Sequence, residues 1–307
     1  MEPVVAAVIP AYNPGPFLAE ALRSVVAQDY QAWECVVVDD GSSEDLSWVD
    51  REDPRICRLS RPNRGPAAAR NAGVAATAGR YVAFLDADDA WREDKLARQV
   101  AVLEAEPSSV LCHTGAELID SRSGVIGRWP YARRIDGYAD LFLGNGVAVS
   151  SAMVRRASLI EAGGWNVFQR TAEDLDLWLR LSMLGGFAYD DNPLARYRRH
   201  GGNVSGNAVL MAAGVDSVLR QHEELARRRG DKVLERSVRA ARRAAQLGWG
   251  ASAFDQARGA LGDHEAGLFV RRWSEALRLN PRYTLRATGR YLLRRGRHSD
   301  PRVSIRP

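Results

Sequence analysis

Acidic residues stand in three places in this chain at spacings that could do chemistry. Asp86 and Asp88 lie two apart in Phe84-Leu85-Asp86-Ala87-Asp88-Asp89. At the end of a strand that spacing sends both side chains to one side of the sheet, where they can share a ligand. Hard cations such as Mn2+ and Mg2+ favour carboxylate oxygens, and are commonly held by one or two of them together with substrate phosphates. Asp39 and Asp40 occur in Val38-Asp39-Asp40-Gly41-Ser42; a carboxylate here can accept the imide N–H of a pyrimidine base, and Tyr12 offers a ring to stack on it. Glu173 and Asp174 open an apolar periodic run, and an ionised carboxylate there can take a proton from a hydroxyl. Each pattern also has a plain reading. Acids after a strand build solvated turns, Asp-Gly-Ser is ordinary turn chemistry, and acids suit the positive end of a helix. That same field would keep Asp174 ionised. His200, in Tyr197-Arg198-Arg199-His200, is either a metal or phosphate ligand or a solvated histidine.

The elements that must position these residues alternate between short β-branched runs and helical periodicity, which predicts an α/β fold with a sheet covered by helices. Residues 4–9 read as a strand. With Asn13 as N-cap, Phe17, Leu18, Ala21, Leu22, Val25 and Val26 then recur at helical spacing. Residues 35–38 and 80–85 read as strands that end in the two Asp clusters, with a small-residue helix over 66–78 between them. A helix over 94–106, a strand over 110–113 and a mobile loop over 121–136 follow. A helix over 173–184 places Leu177, Trp178, Leu181, Leu184 and Asp174 on one face, and 187–191 is strand-like. The polar clusters therefore collect beyond the carboxyl ends of strands, where open α/β sheets bind ligands. Beyond about residue 207 the composition turns to Ala, Arg and Leu at helical spacing, so we divide the chain into 1–206 and a helical segment, 207–307.

Composition narrows the classes. The 307 residues are 46% hydrophobic, enough for one large core and an appended segment. Cys35, Cys57 and Cys112 are odd in number and far apart, which argues for reduced thiols in a cytoplasmic protein. The opening residues lack a signal-peptide pattern, and the apolar stretch 141–154 is too short to span a bilayer, so a soluble or peripheral protein is expected. No G-x-G-x-x-G or G-x-x-x-x-G-K-[ST] occurs, which weighs against dinucleotide dehydrogenases and P-loop enzymes and leaves phosphate charge to a metal. A nucleotidyltransferase would show a basic, Gly-rich loop after strand one, whereas 10–17 holds neither Lys nor Arg. The net charge of +5 hides an uneven distribution: residues 208–307 carry 21 Lys+Arg against 10 Asp+Glu. Arg286, Arg290 and Arg294, with Leu285, Leu292 and Leu293, suit a helix lying on anionic lipid, or one docked on the acidic front of the chain or presenting a solvated charged face. No nucleic-acid recognition motif accompanies the charge.

Taken jointly, Ile9-Pro10-Ala11-Tyr12-Asn13, Val37-Val38-Asp39-Asp40-Gly41-Ser42, Asn63-Arg64-Gly65 with Ala69-Arg70-Asn71, Phe84 to Asp89, Gly163-Gly164-Trp165, Glu173 to Trp178 and Tyr197 to His200 resemble glycosyltransferase family 2 over about residues 4–205. The resemblance implies the GT-A fold, a Rossmann-like mixed sheet flanked by helices, and inverting transfer from a nucleoside-diphosphate sugar, UDP-linked on our reading, to a saccharide or lipid-linked hydroxyl. It places Pro10, Ala11, Tyr12 and Asn13 at the base and ribose, Asp40 at the base edge with Asp39 close by, and Arg64, with Arg70 nearby, near base or phosphates. Asp86 and Ala87 would approach the ribose, Asp88 with His200 would hold Mn2+ or Mg2+, Asp174 would be the general base, and Trp165 and Glu173 would border the acceptor. A non-catalytic nucleotide-sugar-binding or scaffold subunit of the same fold is the alternative, against which Asp88 and Asp174 both stand.

Overall fold

The computed structural model describes residues 2–143, 145–203 and 207–245, with 248, 270, 273–274, 276–278, 280–281 and 283–288. They fall into two compact units that divide after Asn203.

The first unit is a nine-stranded mixed sheet in the order β3-β2-β1-β4-β8-β6-β9-β5, with β7 paired to β6. Its parallel half comprises β1 (Val5–Ala11), β2 (Trp33–Asp39), β3 (Ile56–Ser60) and β4 (Tyr81–Phe84). Beyond β4 the short β8 (Met153–Arg155) runs antiparallel and joins it to β6 (Ser109–Ile119), which pairs in parallel with β9 (Gly186–Arg198). The two-residue β5 (Ala90–Trp91) and β7 (Val125–Arg128) complete the sheet.

Both sheet faces are buried, so the strands carry continuous apolar runs. On one face Val5, Ala7, Ile9, Cys35, Val37, Tyr81 and Ala83 form a core with Leu18, Leu22 and Val25 of α1 (Phe17–Val26) and Leu96 and Leu103 of α3 (Lys95–Ala105). The other face meets α2 (Pro66–Ala75) at close range: a Cβ on Gly73 would stand 2.4 Å from Val8 Cγ1, which is why this helix is built of small residues. Phe84 packs edge-on against Trp165, and Trp165 against Trp178 of α5 (Glu173–Leu181), while α4 (Arg156–Glu161) follows β8.

Several elements differ from the sequence reading. The edge strand β3 was not anticipated, because only Ile56 of its five residues is buried and no alternation marks it. Strands β6 and β9 run well past 110–113 and 187–191, through residues such as Thr114, Glu117, Asn192 and Arg196 that side-chain hydropathy scores as loop. The loop expected over 121–136 contains β7. Helix α1 starts after Pro16 rather than being capped by Asn13, and Leu184 lies beyond α5 and is exposed.

In the second unit, α6 (Ala208–Arg228) is capped by Asn207, whose side chain accepts from Leu210 N at 3.1 Å, and a further helical run covers 232–245. Arg242 binds both Asp216 (2.8 Å) and Glu223 (2.7 Å), so part of the basic excess is neutralised within the unit. Leu285 and Arg286 are exposed; Arg290, Leu292, Leu293 and Arg294 lie outside the described residues. Among the described residues no helix is long and apolar enough to cross a membrane.

Candidate functional site

Register brings the first two motifs together. Ala11 is opposite Asp39 at the carboxyl ends of β1 and β2, and Asp40 N donates to Ala11 O (2.8 Å). Ala11 is buried, Pro10 half-buried, and Tyr12 leaves the strand 57% exposed, so its ring is free to stack. Asn13 adopts φ 45° and crosses to the neighbouring loop: its Oδ1 accepts from Ser43 N (2.8 Å), and its N–H donates to Ser42 Oγ (3.0 Å). Asp39 Oδ1 accepts from Ser42 N at 2.9 Å. Asp40 is buried, and its carboxylate accepts from Arg64 N (3.1 Å) and Gly65 N (2.7 Å) and pairs with Arg61 Nε (3.2 Å). It therefore holds the 61–65 loop against the end of β2, and a base edge would have to share it with that loop. Arg64 is thereby presented at the surface, and among the described residues no acceptor meets its guanidinium.

The second acidic cluster turns tightly beyond β4. Asp86 accepts from Arg70 Nη2 at 2.7 Å, Ala87 is half-buried beside it, and Asp88 Oδ2 meets His200 Nε2 at 2.9 Å. Asp89 is fully buried and accepts from Ser150 Oγ and from Arg198 N (2.8 Å). Burial, and next the charge of Asp86, hold the Asp88 carboxyl above the ordinary aspartate range; burial, then Asp88 and Asp86, hold Asp89 well above it. Asp86 is paired with Arg70 and Asp89 is held by Ser150 and Arg198 N, so Asp88, met by the His200 imidazole and by Asn203 Nδ2 (3.4 Å), is the carboxyl that a divalent cation would stabilise. Among the described residues there is no group of three ligating side chains, so such an ion would take its other ligands from diphosphate and water, as Mg2+ and Mn2+ commonly do. Gly202 N donates to His200 Nδ1 (3.1 Å), so Nε2 carries the proton facing Asp88, and ligation by Nε2 requires that proton to leave.

Arg70 connects the cluster to α5. It is 4% exposed, donates through Nη1 to Glu173 Oε1 (3.0 Å), and lies over the Trp165 ring with 4.4 Å to the centroid. Trp165, expected at the acceptor, is corrected by this: only 2% exposed, it supports Arg70 from below, and Asn71 clamps its backbone N (2.9 Å) and O (2.8 Å). Glu173 is likewise engaged with Arg70. Asp174 is half-buried; its Oδ1 accepts from Leu175 N (2.8 Å), and Oδ2 accepts from Asn145 Nδ2. The helix field was expected to keep Asp174 ionised. Instead burial, and then the Glu173 charge, push its carboxyl up to about 7, because desolvation outweighs the local donors. A carboxyl tuned near neutrality can accept a proton and pass it on at ordinary pH.

The family model for glycosyl transferase family 2 matches residues 6–164, which contain both aspartate clusters and the Arg70 helix. The chain belongs to this family. Among its relatives, the putative teichuronic acid biosynthesis glycosyltransferase TuaG of Bacillus subtilis is 31% identical over 73% of this chain and 90% of that protein. An uncharacterized glycosyltransferase of Rickettsia conorii is 30% identical over 64% of this chain but only 33% of its own length, so the family 2 region is one part of that longer protein. Among solved structures, S. aureus TarS 1–349 in complex with UDP-GlcNAc superposes with a TM-score of 0.58 at 16% identity, covering 90% of this chain and 91% of that one. The mannosyltransferase PcManGT of Pyrobaculum calidifontis, in complex with GDP-Man and Mn2+, gives 0.57 at 17% identity, over 91% and 86%. These likenesses establish the GT-A fold, and family membership makes the chain a glycosyltransferase.

Some residues that shape this transferase site escaped the sequence reading. Arg198 was noted only as part of a motif, yet it is wholly buried: Nε donates to Asp88 O (2.7 Å), Nη1 to Asp120 O and Ser123 Oγ (2.9 Å each), and Nη2 to Glu20 Oε2 (2.7 Å). Ser150 joins Asp86 N (3.1 Å) to Asp89, and Asn145 reaches Asp174. A buried arginine inside a strand needs several acceptors, so Arg198 at the end of an alternating run was the one available signal. Ser150 lies in a three-residue 3-10 turn (Val149–Ser151) and Asn145 in irregular chain, and neither has a periodicity to mark it.

Proposed function

We propose that this chain is an inverting, metal-dependent transferase that moves a sugar from a nucleoside diphosphate, UDP first, to a hydroxyl of a saccharide or lipid-linked acceptor in polysaccharide or glycolipid synthesis. The observation that carries the reading is the Arg70 bridge that joins the acidic turn of Asp86 and Asp88 to the end of α5 that bears Asp174. Asp88 stands beside His200, and Asp174 is tuned to about 7 on the far side of the Arg70 bridge. TuaG's name supports the polysaccharide role, and the UDP-GlcNAc bound to TarS supports the donor class.

In this mechanism Tyr12 stacks on the base, with Pro10, Ala11, Asn13, Asp39 and Asp40 shaping its rim, and the unpartnered Arg64 approaches base or phosphates. Asp86 and Ala87 border the ribose. Asp88 and His200 would hold a divalent cation, which when bound would supply positive charge against the diphosphate. Asp174 accepts the proton of the acceptor hydroxyl, and Glu173 and Arg70 set where it does so. The acceptor oxygen forms its bond to the anomeric carbon as the bond to the diphosphate breaks, so configuration inverts in one step. We assign this chemistry to residues 1–206 and an accessory role, including contact with anionic lipid at the cytoplasmic membrane face, to 207–307. The unpaired cysteines accord with a cytoplasmic site. The test is 1H NMR of the first sugar released from an α-linked UDP-sugar with Mn2+ and the full chain. A β-anomer appearing first supports inversion, and an α-anomer appearing first rejects it.

A further inference from the structure

We infer that Arg70 is a positioning residue for the proton-accepting step: it ties the end of β4 to the first turn of α5 and screens Asp174 from the charge of Glu173. The inference rests on the base role proposed for Asp174.

Arg70 projects from α2, yet both its partners lie on other elements. Nη2 binds Asp86 at 2.7 Å and Nη1 binds Glu173 at 3.0 Å, and the plane is backed by the Trp165 ring. The side chain is almost wholly buried, so the two carboxylates and the ring fix its place. Burial opposes its charge, but Asp86 and then Glu173 outweigh burial, and the guanidinium stays protonated. A planar fork can hold two carboxylates at once, which an ammonium cannot do with the same geometry.

Asp174 follows Glu173 in the chain. The charged groups acting on it are Glu173 on its own helix, which raises its proton affinity, and Arg70 from α2, which lowers it. Asn145 from the preceding loop and the Leu175 N–H complete its polar contacts. Without Arg70, Glu173 would face Asp174 uncompensated, and the first turn of α5 would lose its tie to β4. Asp86 holds the other arm of the fork, so a ligand that draws Asp86 away would leave Arg70 to Glu173 alone. Through this bridge the state of the β4 end reaches the base.

The test follows the Asp174 carboxyl carbon by 13C NMR against pH in the full chain labelled at aspartate, with Asp174→Asn identifying the signal. Arg70→Met should raise the Asp174 midpoint, because a nearby opposite charge is lost. Arg70→Met with Glu173→Gln should return it to the wild-type value or below, and Arg70→Lys should give a smaller rise. If Arg70→Met folds poorly, Glu173→Gln alone carries the test and should lower the midpoint. The acid limb of kcat for UDP release from UDP-N-acetylglucosamine with Mn2+ should move with the midpoint. An unmoved midpoint in Arg70→Met or in Glu173→Gln, or a double variant no different from Arg70→Met, overturns the inference. So does a raised donor KM with an unmoved acid limb, which would make Arg70 a donor contact. Near-normal turnover in Asp174→Asn, with the midpoints shifting as described, would remove the base role and leave the Arg70 coupling standing.

Discussion

Arg198→Lys isolates what the buried fork contributes, because it keeps the charge and removes the geometry. The guanidinium makes four hydrogen bonds, to Asp88 O, Asp120 O, Ser123 Oγ and Glu20 Oε2, at 2.7–2.9 Å, and sits over the Phe17 ring at 4.9 Å. A lysine ammonium can keep the Glu20 pair, while Ser123 Oγ retains its own bonds to Glu20. The Asp120 carbonyl still accepts from Ser123 N (3.1 Å), whereas the Asp88 carbonyl is left without this donor. An acceptor stripped of its partner costs roughly 1–3 kcal/mol. For a unit of this size each kcal/mol lowers Tm by about 2–4 °C, so a fall of about 2 °C or more is expected by scanning calorimetry of the full chain. The same loss frees the Asp88 main chain, so the Mn2+ concentration giving half-maximal donor binding should rise. A Tm within about 1 °C of wild type together with an unchanged Mn2+ requirement would refute the view that Arg198 holds the metal-side turn.

Three other outcomes follow from the site and the core. Asp174→Asn should lower turnover by about 10²–10⁴-fold while leaving donor binding near wild type, measured by nucleotide release and calorimetry; retained turnover removes Asp174 as the base. In the wild type, turnover should fall as pH drops through about 7, where Asp174 takes up its proton. His113 is fully buried against the Tyr189 ring (4.8 Å) with no partner on either ring nitrogen, and burial, then Arg133, push it down to about 3. The unfolded chain takes up a proton near pH 6.5 that the folded one refuses until about 3, so folding stability is lost as pH falls through that window. At pH 5 the loss is about 2 kcal/mol, from about 1.5 units at 1.36 kcal/mol each. The urea midpoint of wild type should therefore fall relative to that of His113→Phe on acidification, and parallel curves would contradict this.

The legibility of this molecule in its sequence followed burial. Strands β1, β2 and β4 are buried on both faces and lie in parallel, so their apolar runs marked them and the acidic residues that end them. The helical spacing in α1, α3 and α5 marked those helices for the same reason. Strand β3 and the far halves of β6 and β9 were hidden because tertiary hydrogen bonding, rather than side-chain hydropathy, makes them strands. At the site, residue types were readable and their assignments less so. Asp40 and Trp165 were placed at ligand surfaces, but the structure uses the first to hold a loop and the second to carry Arg70. Contacts between residues far apart in the chain, such as Asn145 to Asp174 and Arg70 to Glu173, leave no local spacing to read.

Asp88 and its surroundings are expected to bind a nucleotide sugar through a metal. Titration calorimetry of UDP-, GDP-, dTDP- and CMP-sugars into the full chain, with and without Mn2+ or Mg2+, checks this when wild type and Asp88→Ala are compared. Binding of one nucleotide class, UDP first, that requires metal and is lost in Asp88→Ala is the expected result. Binding of no donor with either metal, or equal metal-dependent binding by the variant, would contradict it.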